Sequence, residues 1–332
     1  MITTTKLRRK PRHFRAFTGL SVSEFDTLLA HVTPAYEAAE LAKRQRPQRQ
    51  GAINSGHPFR LALSERLLMG LMYLRLYVGQ SLLGYLFDLD ESNVSRELHE
   101  RLLPILLDVL PVPLRHAPLR HLASDTPHEK LDKVSQQAGK KKPRKRIQTL
   151  EELFAAHPEI KEVLVDATEQ SVAQPKDKLK RKLAYSGKQQ DHTIKTQIVA
   201  TKTTILHVFG NLPGCLSDML VLRASGVLSQ VPTKMKVRVD KGYEGTEAAY
   251  PHLAVQQPIK KPRGQPQNIL ERAYNYMLST QRIYVEHHFA RVQKYQCLAQ
   301  LWRGKSDAHE DVFCVVAGLV NFRQSGHMEL AG

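Results

Sequence analysis

The run KEVLVDATEQSV, Lys161–Val172, decides the fold class, because here the residue pattern changes. It is rich in β-branched residues, and two similar runs follow: HTIKTQIVAT (His192–Thr201) and TTILHVFG (Thr203–Gly210). They read as successive strands, the last two joined by a tight turn at Lys202. SDMLVLRASG (Ser217–Gly226) reads as a short helix capped by Ser217 and ended by Gly226. KMKVRVD (Lys234–Asp240) is a further strand, after which Gly242 and Gly245 break the chain. A long helical segment then covers about Asn268–Leu298, and an amphipathic one covers Glu310–Arg323. Three strands, a helix, a strand and then helices make an α/β pattern with a mixed sheet.

Upstream of this run the spacing is helical. FTGLSVSEFDTLLAHVTPAYEAAE (Phe17–Glu40) predicts a helix capped by Ser23, with Phe25, Leu28 and Leu29 on one face. Lys43–Pro58 is polar and reads as a loop. LALSERLLMGLMYLRLY (Leu61–Tyr77) has strong helical periodicity, and shorter helices are expected at about Gln80–Phe87 and Ser92–Leu107. A second loop, about Pro111–Arg146, contains the basic run GKKKPRKR (Gly139–Arg146), read as a solvated linker or a phosphate contact. The expected division is a helical domain over 1–115, a basic flexible linker over 116–150 and an α/β domain over 151–332.

Composition narrows the partners. The chain has 332 residues, 42% hydrophobic, with a formal net charge of +17. That excess of Lys and Arg favours a polyanion, most simply nucleic acid. No run of about 18 apolar residues occurs, so no membrane span is expected. Cys215, Cys297 and Cys314 match neither a disulfide framework nor a zinc site, which reads as a reduced, intracellular protein.

Two carboxylates stand out. Asp166 follows the apolar run Val163–Val165, and Asp240 ends a strand. An isolated carboxylate in a central strand is costly to desolvate, and a divalent cation such as Mg²⁺, which prefers oxygen ligands, compensates it. Glu286, in RIYVEHHFARVQKY (Arg282–Tyr295), is the third candidate; Arg282 lies one turn before it and can pair with it on one face. His287 and His288 are adjacent, so they point about 100° apart and make a poor zinc pair.

The separations, 166 to 240 and 240 to 286, together with five motifs in order, carry a resemblance. VDATE (Val165–Glu169), YSGKQQDHTIKTQ (Tyr185–Gln197), LPGCLSDM (Leu212–Met219), VDKGYEG (Val239–Gly245) and RIYVEHHFARVQKY are similar to Harbinger-like bacterial insertion-sequence transposases, the insertion-sequence-five family of the Asp-Asp-Glu superfamily. The resemblance covers Val163 to about Arg303. It implies a ribonuclease-H-like mixed sheet flanked by helices. It also implies a catalytic and metal-binding triad of Asp166, Asp240 and Glu286, holding two Mg²⁺ ions with Mn²⁺ able to substitute. Asp218 matches the acidic residue of the PG…D segment and ranks lower, as a first-turn charge of a helix. Lys188, His192 and Lys195 match basic positions that implicate DNA, and Arg282 and Lys294 are further DNA-binding candidates. Two positions depart from the pattern: Ala167 stands for a Gly, and Gln293, beside Lys294, stands for the usual Lys.

QSLLGYLFDLDESNVSRELHERL (Gln80–Leu102) resembles the helix-turn-helix that opens such transposases. Leu82, Leu83 and Leu86 are expected to form the first helix's core face, with the turn at Asp88–Ser92 and a cap from Asp90 or Ser92. Val94 and Leu98 then point inward, leaving Ser92, Asn93, Ser95 and Arg96 for a DNA groove. Trp302 and Arg303 allow stacking on DNA, though a lone Trp more commonly packs in a core.

The expected function is a transposase that binds the terminal inverted repeats of its element and cuts and joins double-stranded DNA. It would act as a homodimer on DNA in the bacterial cytoplasm, associated with the nucleoid. The alternatives are a transposase-derived DNA-binding protein that lost catalysis, for which Gln293 is the motive, and a helix-turn-helix regulator with an unrelated effector domain.

Overall fold

The computed structural model describes residues 1–44, 59–115, 147–261, 264 and 266–325. The expected loop over Lys43–Pro58 and the run GKKKPRKR lie almost wholly or wholly outside them, as do residues 116–146 of the expected linker. Among the described residues no helix is long and apolar enough to cross a membrane.

The chain opens with α1 (Thr4–Arg8), α2 (Pro11–Thr18) and α3 (Val22–Arg44). The cap of α3 is Ser21 rather than Ser23. The Ser21 hydroxyl accepts the Glu24 N–H at 3.2 Å, and the Glu24 carboxylate accepts the Ser21 N–H at 2.6 Å. This reciprocal capping box satisfies two donors, and Ser23 already lies inside the helix. Phe25 and Leu28 are fully buried as expected, and Leu29 packs against the same core.

α4 (Leu63–Leu76) is buried without a break from Arg66 to Leu74, which makes it the central helix. Arg66 is tolerated there because its guanidinium lies over the Tyr36 and Phe59 rings, at 4.4 and 4.0 Å, and 3.5 Å from the Glu97 carboxylate. α5 (Gln80–Phe87) ends at Asp88, whose φ of 59° is left-handed. Gly84 allows this sharp exit, since a Cβ there would lie 2.5 Å from the Leu89 carbonyl oxygen. The core face of α5 is Leu83 and Phe87; Leu82 is exposed, contrary to expectation, and Leu86 is half-buried.

The single helix expected over Ser92–Leu107 is divided. α6 (Glu91–Arg96) passes through a widened π turn, Glu97–Leu102, into α7 (Leu103–Val109). Pro104 lacks an N–H and crowds the preceding turn, so the ladder loosens where it would otherwise clash. Asp90 stands at the cap position of α6 but makes no side-chain capping bond.

A short strand, β1 (Leu114–Arg115), and α8 (Leu150–Ala156) lead to β2 (Glu162–Ser171). Then come α9 (Lys178–Ala184), β3 (Tyr185–Ser186), β4 (Asp191–Ala200), β5 (Ile205–Pro213) and α10 (Asp218–Ser225). β6 (Lys236–Arg238), α11 (Thr246–Ala249), β7 (Ala254–Gln256), α12 (Ile269–Val292) and α13 (His309–Ser325) complete the chain. The strand order is β1-β5-β4-β2-β6-β7, with β3 on β4 off this path. β2 is antiparallel to β4 and parallel to β6. The sheet is therefore mixed and flanked by helices, in the ribonuclease-H-like arrangement.

The central strand is covered on both faces, and its alternation sends neighbours to different cores. Leu164, with Ile198, Ala200 and Val208, packs on α12, α13 and the N-terminal helices in one continuous cluster. Val163 and Val165, with Val199, Val237 and Val239, pack on Leu153 and Phe154 of α8 and Leu222 of α10. The same parity sets which face later residues of β2 present.

Replacing Ser21 with Ala should lower stability by about 1 kcal/mol in chemical denaturation, because the hydroxyl arm of the capping box goes. Ser23→Ala should change it by less than about 0.5 kcal/mol; equal effects would refute the assignment of the cap.

Candidate active site

β2 and β6 pair as far as Leu164 opposite Arg238, and there the ladder ends. Two residues farther along each strand direction stand Asp166 and Asp240, so alternation turns both to the face of Leu164 and Arg238. The fork beyond the carboxyl ends of adjacent parallel strands is the common crevice of open α/β sheets. α12 crosses it and supplies Arg282. One guanidinium nitrogen lies 2.8 Å from the Asp240 carboxylate and another 3.5 Å from that of Asp166.

Burial pushes the Asp166 carboxyl up to about 6. The Ala167 N–H, which it accepts at 2.8 Å, and the Arg282 charge pull the other way, while Asp240 and Asp218 raise it further. Tyr243 lies fully buried beside this group, and among the described residues its hydroxyl has no partner. Burial and then the charges of Asp166, Asp218 and Asp240 drive its phenol well above the ordinary value.

Asp218 is the first residue of α10, whose start is capped by the Ser217 hydroxyl taking the Leu220 N–H. Its carboxylate sits 2.8 Å from the Lys195 ammonium, which also donates to the Leu216 carbonyl at 2.6 Å and lies 3.2 Å from Glu169. Burial would raise Glu169, but hydroxyls of Ser186 and Thr193 and the Lys195 charge hold it below the usual carboxylate range. Gly242 lets the turn after Asp240 close on this network, since a Cβ there would be 2.8 Å from the Asp218 carboxylate.

Glu286 lies on α12 one turn beyond Arg282, but it is exposed. Among the described residues it makes no hydrogen bond or ion pair, and no group of three or more His, Cys, Asp or Glu is gathered as a metal site. The expected Arg282–Glu286 pair is not made. Two partly buried carboxylates need the guanidinium more than an exposed glutamate in water does. His288 is buried, its ring nitrogen 3.0 Å from the Thr201 carbonyl, and burial pushes it down to about 4.

The DNA-binding candidates divide similarly. Ser92, Asn93 and Arg96 are exposed on α6 and Ser95 is half-buried, while Val94 and Leu98 are buried as expected. Arg96 folds back onto the Asn93 side chain at 2.8 Å and the Ser92 carbonyl at 3.2 Å. Lys188 and Lys294 are exposed, and His192 is half-buried against the Tyr185 ring. Lys195 is instead buried and paired with Asp218 and Glu169. Its register opposite Glu169 required knowing how β2 and β4 pair. Trp302 is buried and stacks on Tyr77, so it serves the core, whereas Arg303 lies over the same ring at 4.1 Å and is itself exposed. Tyr243, Gly242 and the Lys195–Glu169 pair were not singled out as site residues from the sequence; only the glycine in VDKGYEG was a signal.

The raised Asp166 carboxyl gives a signed test. Its native value lies above the ordinary 3.8, so the stability it contributes is complete below about pH 4 and lost as pH rises through 6. Asp166→Asn should therefore gain stability over the parent by about 1–3 kcal/mol between pH 5 and 7.5. Urea denaturation across that range checks it, and a pH-independent difference would contradict it.

Comparison with known proteins falls on both regions. Residues 165–321 match the family described as DDE superfamily endonuclease, and residues 59–111 match the helix-turn-helix of DDE superfamily endonuclease. A probable transposase for insertion sequence element IS702, from Microchaete diplosiphon, is 32% identical over 161 residues, 48% of this chain and 56% of the relative. The chain thus spans about half the length of the curated relative it matches. No solved structure matches the chain. The segment carrying Asp166, Asp240 and Arg282 is accordingly similar to DDE superfamily endonucleases, and the segment carrying α4 to α7 to the helix-turn-helix that accompanies them.

Proposed function

We propose that this chain is a DNA transposase of the insertion-sequence-five type, which cuts and rejoins DNA at the ends of its element. The observation that carries the reading is the pair of carboxylates, Asp166 and Asp240, sharing one guanidinium at the fork of β2 and β6. Such a site has oxygen donors and too little positive charge, as the raised Asp166 carboxyl records. It fits a hard divalent cation, and Mg²⁺ is proposed, with Asp166, Asp240 and Glu286 as its protein ligands. When bound, such ions supply Lewis-acid stabilisation of the scissile phosphate and an activated water.

The chain's own residues do the rest. Arg282, once displaced from the carboxylates, is placed to meet a phosphate oxygen with its fork of donors. Lys195 and Glu169 hold Asp218 against the turn that carries Asp240. Ser92, Asn93 and Arg96, with Ser95 at the edge, face outward on the second helix of the helix-turn-helix and suit contacts with the element's ends. Exposed Lys188 and Lys294 suit the phosphate backbone. The division at 1–115, 116–150 and 151–332, a homodimer on DNA and a place in the bacterial cytoplasm belong to the same proposal.

The second reading, a DNA-binding protein without catalysis, is favoured by Gln293 in place of a lysine and by the exposed Glu286. Cleavage of duplex DNA bearing the element's ends, with Mg²⁺, decides between them. Asp166→Ala, Asp240→Ala and Glu286→Ala should each reduce cleavage at least about a thousandfold while binding is retained. Parent protein that binds the ends without cutting supports the second reading. Undiminished cleavage by Asp240→Ala would remove that residue from the site.

A further inference from the structure

α12 is held to the body along one face only, through Leu278, Val285, His288 and Val292, all buried. The rest of its surface carries exposed apolar side chains, one row opposite that seat and a second about 100° round from it. Ile269, Leu270 and Tyr276 are 83%, 80% and 73% exposed, and Met277, Ile283 and Tyr284 are also exposed. These six form two rows, 269, 276 and 283 beside 270, 277 and 284, each repeating every seven residues. A seven-residue apolar repeat is the signature of a helix that packs along another helix.

The rows are also self-complementary. A two-fold axis passing between Tyr276 and Met277 sets Ile269 against Tyr284, Leu270 against Ile283, Ala273 against Thr280 and Tyr276 against Met277. Every apolar member of the stripe then meets another stripe residue. The bare apolar area is on the order of 600 Å², at the top of what a monomer leaves uncovered. It approaches the roughly 800 Å² per partner of a standard interface. An isologous contact needs such self-matching, and a different partner does not.

We infer that the outer face of α12 is the surface through which two copies of this chain associate, helix against antiparallel helix. The inference stands on α12 alone and does not depend on strand cleavage. Sedimentation of the full chain without DNA tests it. The parent should be a dimer, and Tyr276→Arg with Leu270→Arg should weaken association by about a hundredfold or more. Tyr85→Arg, at an apolar residue equally exposed on α5, should leave it unchanged. Unchanged circular dichroism melts show that the variants remain folded.

As a second measurement, Tyr276→Cys in a Cys215→Ser background should give interchain cross-linking by a short thiol reagent, and Tyr85→Cys should not. A parent that sediments as a monomer throughout overturns the inference and leaves the stripe to nucleic acid or another protein. A dimer indifferent to the α12 substitutions, or equal cross-linking from both positions, overturns it as well.

Discussion

Sharing of Arg282 between Asp166 and Asp240 is the constraint around which the site is arranged. Two carboxylates at the end of one strand ladder repel each other, and the burial of Asp166 strengthens that repulsion. The guanidinium that relieves it comes from another element, so its position depends on how α12 is seated. Leu278, Val285 and Val292 seat that helix by burial, and His288 fixes it to the sheet through the Thr201 carbonyl at the end of β4. A slip of α12 by one residue would turn Arg282 by about 100° and leave both aspartates without their counter-charge.

The seat itself rests on the double covering of β2. Val163 and Val165 are buried in one cluster and Leu164 in the other, so neither face of the strand is in water. The parity that buries Leu164 also carries Asp166 toward α12 and, farther on, Gln170. The Gln170 amide donates to the carbonyls of Cys297 and Gln300 at 2.9 and 2.7 Å, and its oxygen meets the His309 ring at 2.8 Å. One side of one strand therefore positions the site and also secures the turn between α12 and α13. The core formed there continues into α4 and α7, so the helical region braces the same face.

Local pattern made much of this legible. The β-branched runs of β2, β4 and β5, the Ser217 and Gly226 ends of α10, and the turn between α5 and α6 are all short-range chemistry. What stayed hidden depends on pairing. β1 and β7 are too short to carry a periodic signal of their own and exist because β5 and β6 offer them an edge. The split of α6 and α7 follows from Pro104, visible in the sequence, but the widened turn is one of several responses a helix can make. At the site, the order of Asp166 and Asp240 was legible and the destination of Arg282 was not. An intrahelical glutamate one turn away is the obvious local partner, and only the tertiary fold presents two stronger ones.

The electrostatic contrast between the two candidate second aspartates bears on which one the chemistry uses. Asp218 is neutralised by Lys195, whose side chain is 5% exposed and also serves Glu169 and the Leu216 carbonyl. Removing that lysine would leave buried Glu169 and half-buried Asp218 without their counter-charge, so the arrangement is held permanently. Asp240 is 41% exposed and shares a single guanidinium with Asp166. Arg282 pairs with these two carboxylates alone, so a cation taking its place would leave only the guanidinium to find a new partner. A carboxylate that must exchange its counter-charge during a reaction belongs in the second setting. One that shapes the turn beside it, against Gly242, belongs in the first. On this ground Asp240, rather than Asp218, is the better partner for Asp166 in the proposed metal site.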